Sequence, residues 1–297
     1  MSESYITTTK KAAIFFPSSP LDTKKLGPAI EELRDKNIIV DVNFNLDVSK
    51  GSVPYLWGSD QDRAEIFRQL LCRKDIDIIW CVRGGYGASR WLDIFDWKIL
   101  DNITSYHDII GFSDCTFFFS KLLNYGFMPI HGPLLSTFFS TSDESKDAIL
   151  KLIHLGIPPY LYGKTLIRGK ARGMIIGGNL TCLCHLIGTP HEPPWDGAIL
   201  LIEDHHEALY RIDRMITHLL SSKRLNRLTG IVVGHILNIG LYEELLPKLL
   251  MERLKGLSIP IAFKFPVGHH KDNFPVVLGK QYELDATQDI AILKPIS

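Results

Sequence analysis

The chain has 297 residues, 45% hydrophobic and 22% charged, and its 33 Lys+Arg balance 33 Asp+Glu to a formal net charge of +0. That length allows two domains with cores of their own. Without a basic excess, nucleic acid and anionic membrane surfaces are not expected partners, and no apolar run approaches a membrane span.

In chain order, Met1 to Lys11 is polar and lacks the apolar core of a signal peptide. Lys11 to Phe16 reads as a buried strand closed by Pro17-Ser-Ser-Pro20. Asp22 is placed to cap a helix running to about Lys36. Ile38 to Phe44 predicts a second strand, followed by a polar loop with Gly51, Pro54 and Gly58 and a helix over Asp60 to Leu71. Asp77 to Val82 is a third strand that opens into Arg83-Gly-Gly-Tyr-Gly87. After a helical piece near Arg90 to Leu100, Asp108-Ile-Ile-Gly-Phe-Ser113 reads as strand then sharp turn, with a helix over Phe117 to Leu123. Met128 to Pro133 closes this half.

Leu134 to Arg168, with a helix at Glu144 to Leu155 and Pro158-Pro159, reads as a connection. The second half restarts at Gly169 to Gly178, with Asn179 capping a helix to Ile187. Strands follow at Ala198 to Ile202, Ile231 to Ile236, Ile259 to Phe265, Val276 to Leu284 and Ile290 to Leu293. Helices follow at Glu207 to Leu220, where Glu207 and Arg211 are spaced to pair, and at Leu241 to Leu254. The expected architecture is α/β in two domains. Residues 1–135 form an N-terminal domain with a mostly parallel sheet flanked by helices, 136–167 the connection, and 168–297 a smaller C-terminal α/β domain. Cys72, Cys81, Cys115, Cys182 and Cys184 are odd in number and scattered, which predicts reduced thiols and a cytoplasmic protein.

In parallel sheets, sites form at the carboxyl ends of strands. Ser113 falls at such an end, before a helix whose N-terminus faces any charge developing beside it. A serine hydroxyl needs a base, and the base an orienting group. His269, in a Gly-His-His turn after a strand, is the candidate base, and Glu203, ending an apolar strand, the candidate orienter. The amide of Asp114 and a glycine amide from Gly84-Gly85 are candidate oxyanion donors. Structural roles compete with each: Ser113 as a helix cap, Glu203 as an acceptor for helix amides, the glycines as a tight turn. Cys115, in the first helical turn, is an alternative nucleophile. His205-His206 and His269-His270 are adjacent pairs whose side chains diverge on extended backbone, and no metal-binding histidine spacing occurs, so no metal is expected. The glycines do not fit a dinucleotide fingerprint.

Arg83-Gly-Gly-Tyr-Gly87, Gly111-Phe-Ser-Asp-Cys-Thr116, His131-Gly-Pro133, Gly177-Gly-Asn-Leu-Thr181, Gly188-Thr-Pro190, Glu203-Asp with Tyr210-Arg-Ile-Asp-Arg-Met215, and Pro266-Val-Gly-His269 occur in this order. As a set they resemble the LD-carboxypeptidase family of serine peptidases, which includes muramoyl-tetrapeptide carboxypeptidases and microcin C immunity peptidases. The resemblance runs from about Ala12 to Leu284. It implies a Ser113-Glu203-His269 triad, oxyanion donors at Asp114 and Gly85, and a site in the groove between two α/β domains. It also implies a cytoplasmic homodimer without metal or cofactor, acting on a small muropeptide and removing its terminal D-alanine in peptidoglycan recycling. A terminal carboxylate would be recognised by Arg83 or by the glycine loop, Gly84 and Tyr86 included. Tyr106-His107, Cys115 and His191 depart from the usual family residues and leave substrate preference open. The alternatives are a peptidyl-nucleotide hydrolase of the microcin C kind, a non-catalytic muropeptide-binding protein and a Cys115 hydrolase.

Overall fold

The computed structural model describes residues 8–42, 51, 53–103, 107–240 and 242–296. Phe44, Tyr106 and Leu241, which figure in the expected elements and motifs, lie outside the described residues.

The N-terminal domain is built from β1 (Lys10–Phe15), α1 (Gly27–Asp35), β2 (Ile38–Asp41), α2 (Asp60–Cys72), β3 (Ile78–Cys81), α3 (Ala88–Trp91), β4 (Asp108–Gly111), α4 (Thr116–Leu123) and β5 (Ile130–His131). Local chemistry sets these boundaries. The Asp22 side chain accepts from the Lys24 N–H and starts a 3-10 turn that leads into α1. Ser59 and Asp62 form a reciprocal capping box on α2. The helix expected near Arg90 to Leu100 is instead two pieces, α3 and a 3-10 turn at Trp97–Asn102, because the Asp96 carboxylate accepts from Lys98 N–H and caps a new turn. Strands β2, β1, β3, β4 and β5 pair in parallel. β3 is buried along its whole length, as a strand covered on both faces requires.

The stretch 136–167 carries most of α5 (Leu135–Phe138), then α6 (Asp143–Leu155) and β6 (Leu161–Ile167). β6 pairs antiparallel in the second sheet, a strand that Pro158-Pro159 and Gly163 disguise. Gly163 is required there, since a Cβ would meet the Phe265 ring at 2.6 Å. The chain continues through β7 (Lys170–Asn179), α7 (Leu180–Leu186), β8 (Ile199–His205), α8 (Leu209–Ser221), β9 (Gly230–Leu237), α9 (Leu246–Leu254), β10 (Ile261–Phe263), β11 (Val276–Val277), β12 (Gln281–Asp285) and β13 (Ile290–Pro295).

Seven strands close a barrel in the order β10-β6-β13-β12-β7-β8-β9. β7, β8, β9 and β10 run parallel, linked by segments that carry α7, α8 and α9, while the β10-β6-β13-β12-β7 side is antiparallel. The molecule is therefore α/β in two domains. The expected strand Val276 to Leu284 is broken at Gly279 (φ +84). Its first piece, β11, leaves the barrel and pairs antiparallel with β5 at the edge of the N-terminal sheet.

α4 is buried on nearly every side and packs against β7 and α7 as well as its own domain, so it lies between the two. A helix buried on nearly every side needs such a setting, and its one charged residue, Lys121, reaches out to Pro190 O. Within α4 Phe118 is 0% exposed, with ring centroids of Phe67 and Trp91 at 5.4 Å and Phe15 at 6.0 Å. Phe118→Ala is expected to cost about 3–5 kcal/mol, read from urea unfolding. A loss under about 1 kcal/mol would show that α4 is not held by this aromatic cluster.

Candidate active site

β4 delivers Ser113 through an extended Phe112 into the left-handed region, with φ +63 at Ser113. A non-glycine residue there is strained, and such residues gather at functional turns. The turn sets Ser113 at the head of a 3-10 turn, Ser113–Cys115, that runs into α4.

Two buried contacts fix the turn. The Asp114 carboxylate accepts from the Ser18 hydroxyl at 2.5 Å and from the Ala88 N–H at 2.8 Å, joining the loops after β1 and β3 to the turn. Burial raises the Asp114 carboxyl above its ordinary range, against these two hydrogen bonds. The glycine loop lies against Ser113. A Cβ on Gly84 would sit 3.1 Å from Ser113 Cβ and 3.2 Å from its Oγ. Gly85 has φ +99, a backbone only glycine adopts readily, and a Cβ there would strike the Ser19 hydroxyl.

Glu203 and His269 come from the other domain. Glu203 sits in β8 with 0% exposure. His269 follows Gly268 (φ +114), where a Cβ would meet Glu203 Oε2 at 2.7 Å. His269 Nδ1 lies 2.6 Å from Glu203 Oε2, and its Nε2 lies 3.1 Å from Ser113 Oγ. The three expected residues thus form one hydrogen-bonded chain across the two domains. Burial alone would lower the His269 imidazole, but the charge and hydrogen bond of Glu203 raise it above its ordinary 6.5. Burial alone would raise the Glu203 carboxyl, yet the His269 charge and hydrogen bond hold it below its ordinary range. A neutral His269 can therefore take the Ser113 proton while Glu203 stabilises the imidazolium that results.

Of the competing roles, the one expected for Glu203 as an acceptor for the next helix is not seen, since no side chain at the N-cap accepts from α8. The neighbouring Asp204 instead accepts from Thr181 N–H at 2.9 Å and Thr181 Oγ1 at 2.8 Å at the start of α7. Asn179 caps that helix as expected, its side chain accepting from Cys182 N–H at 3.1 Å. Cys115 is 0% exposed, and burial together with Cys81 pushes its thiol well above the ordinary value, so it is not a solvent-facing nucleophile. Arg83 is exposed and donates to Pro20 O at 2.8 Å. Tyr86 is 49% exposed, with its ring 5.9 Å from that of Tyr55. His191 is buried, with Nε2 2.7 Å from Asp93 Oδ1. Among the described residues no group of three His, Cys, Asp or Glu could hold a metal, and no helix is long and apolar enough to cross a membrane.

Contacts that sequence reasoning missed tie the domains beside Ser113. The Asn179 N–H donates to Thr116 Oγ1 at 3.0 Å. Gly178 (φ +136) lets β7 come this close, since a Cβ there would strike Thr116, while a Cβ on Gly177 (φ +118) would strike the Leu201 carbonyl of β8. A cavity of about 530 Å³ opens beside the site, bordered by His269, Phe112, His205 and Lys271.

Two family models match the chain: the LD-carboxypeptidase N-terminal domain over residues 12–132 and the LD-carboxypeptidase C-terminal domain over residues 172–284. The chain belongs to the LD-carboxypeptidase family. As a member it is a peptidase, a hydrolase of amide bonds. It is 32% identical to a putative carboxypeptidase of Streptomyces coelicolor, over 93% of this chain and 90% of that one. It is 29% identical to the murein tetrapeptide carboxypeptidase of Pseudomonas aeruginosa, over 94% of each. The crystal structure of muramoyltetrapeptide carboxypeptidase from Oxalobacter formigenes superposes with a TM-score of 0.83 at 27% identity, covering 97% of this chain and 99% of that one.

The rate at which a fluorophosphonate modifies Ser113 is expected to rise with pH through a titration above 6.5, because only neutral His269 can accept the proton. Glu203→Gln should move that limb to lower pH and slow modification by about 10,000-fold; an unmoved limb would show that Glu203 does not set the proton affinity of His269. Gly84→Ala should slow modification by about 100-fold while leaving thermal stability near wild type. An undiminished rate would mean that the loop can withdraw from Ser113.

Proposed function

We propose that this protein is a serine-type LD-carboxypeptidase that removes the terminal D-alanine from murein tetrapeptide. The scissile bond would be the amide between the L-centre of diaminopimelate or lysine and D-alanine. The observation that carries the reading is the Ser113–His269–Glu203 hydrogen-bond chain, drawn from two domains that both match the family's models. The murein substrate is supported by the relatives from Pseudomonas aeruginosa and Oxalobacter formigenes, named for murein or muramoyl tetrapeptide.

In this reading His269 Nε2 takes the Ser113 proton as Oγ attacks the penultimate carbonyl carbon. The oxyanion accepts hydrogen bonds from the Asp114 and Gly85 amides. The Asp114 amide is suited to this because it lies at the start of the 3-10 turn, where the first N–H groups have no partner within the turn. His269 then protonates the departing amine of D-alanine and the acyl ester remains on Ser113. Water, giving a proton to His269, attacks that ester, and His269 returns a proton to Ser113 Oγ. Arg83, whose guanidinium is exposed beside the glycine loop, is the candidate to attract the substrate carboxylate. The reading carries with it a cytoplasmic location, a homodimer, and chemistry without metal or cofactor.

Mass spectrometry of murein tetrapeptide incubated with the protein should reveal loss of one D-alanine, unaffected by chelator and abolished in Ser113→Ala. Turnover of a peptidyl-nucleotide in place of tetrapeptide would reassign the substrate to the microcin C class. Tight tetrapeptide binding without turnover of either would make the protein a muropeptide sensor.

A further inference from the structure

We propose that His205 is a positioning residue for His269: its ring, held by Asn238, lies flat against the His269 imidazole and fixes the plane in which that imidazole accepts the Ser113 proton. The inference rests on the triad reading above and goes beyond it. It begins with a geometric need. The bond to Glu203 pins one atom of the His269 ring, Nδ1, but a single hydrogen bond leaves the ring free to swing about that point. Nε2 must still be aimed at Ser113 Oγ, and misaiming by about 1 Å can cost 100-fold in rate.

The strand β8 supplies the second restraint. The register of β8 against β9 shifts at Glu203, and both Glu203 and His205 reach His269 while Asp204 binds Asn179 and Thr181. Glu203 meets the edge of His269. His205 meets its face, with ring centroids 5.1 Å apart and planes 5° from parallel. Phe112, the residue before the nucleophile, adds an edge-on contact at 4.7 Å and 62°.

His205 is itself anchored. Its Nε2 lies 2.7 Å from Asn238 Nδ2, so the amide donates and the ring proton stands on Nδ1. Asn238, just past β9, has φ +55. His206 also leaves extended backbone (φ +64), which brings its ring within 3.9 Å of His205 instead of diverging from it. Burial, then the charges of His269 and His206, keep His205 neutral more readily than a free imidazole. A neutral ring offers its π-face to the imidazolium that forms when His269 takes the proton.

The test compares His205→Ala, His205→Phe and Asn238→Ala with wild type in two assays. One is the rate of Ser113 modification by a fluorophosphonate, which needs no knowledge of the substrate. The other is kcat and KM for D-alanine release from murein tetrapeptide. His205→Ala is expected to lose about 10-fold in modification rate and kcat, with KM nearly unchanged. His205→Phe should recover most of both, because a flat ring remains, and Asn238→Ala should fall between. The proposal is overturned if His205→Ala matches wild type, if its loss is confined to KM, or if His205→Phe is no better than His205→Ala. Wild-type protein that resists modification at Ser113 would instead sink the triad reading. Modification without D-alanine release would sink only the substrate, and the modification rates alone would then decide the role of His205.

Discussion

A buried charge needs a partner, and the one on Glu203 organises much of this molecule. Its carboxylate has no exposure to water, and leaving it unpaired would cost several kcal/mol. His269 supplies the partner, and the backbone makes room for the pair. Gly268 packs against the carboxylate, and Gly234 lets the 267 carbonyl pass close to β9 behind it. His269 gives this carboxylate its largest stabilisation, through its charge and the 2.6 Å hydrogen bond to Oε2, with Asn179 contributing less. Nearby His131 is wholly enclosed, and burial drives its imidazole down to about 4, so it adds no competing charge at neutral pH.

The other half of the problem is to bring a strained hydroxyl to the far side of His269. Here the chain relies on closeness of backbone. Gly84 lies so close to Ser113 that a Cβ would press on it at 3.1 Å, and a Cβ on Gly178 would collide with Thr116. The helix behind the serine is buried along nearly its whole length because it fills the seam between the domains. The same residues therefore serve stability and placement: the Asp114 carboxylate binds two loops while its own amide stands next to Ser113.

Much of this could be read from the chain. Apolar runs ending in Ser113 and Glu203, and a Gly-His turn after a late strand, mark strand ends where sites gather, and a serine needs such partners. What stayed hidden was set by distant pairing. β6 lies behind two prolines and a glycine, and it is a strand only because the Phe265 ring and the neighbouring barrel strands receive it. β11 is two residues long and carries no periodicity of its own. The contact of His205 with His269 was hidden for a different reason. Adjacent histidines diverge only on extended backbone, and the left-handed turn at His206 is not written in any residue type that demands it.

The excursion of β11 to the N-terminal sheet has a mechanical consequence. The segment bearing His269 starts from β10 in the barrel and ends in β11, so its two ends are fastened to different domains. It acts as a tether drawn across the seam. A rotation of barrel against sheet would strain residues 264–275, and the imidazole rides on that stretch. The reach of His269 to Ser113 is thus a gauge of how the domains are docked, and opening the seam would slacken the proton path before it unfolded either half.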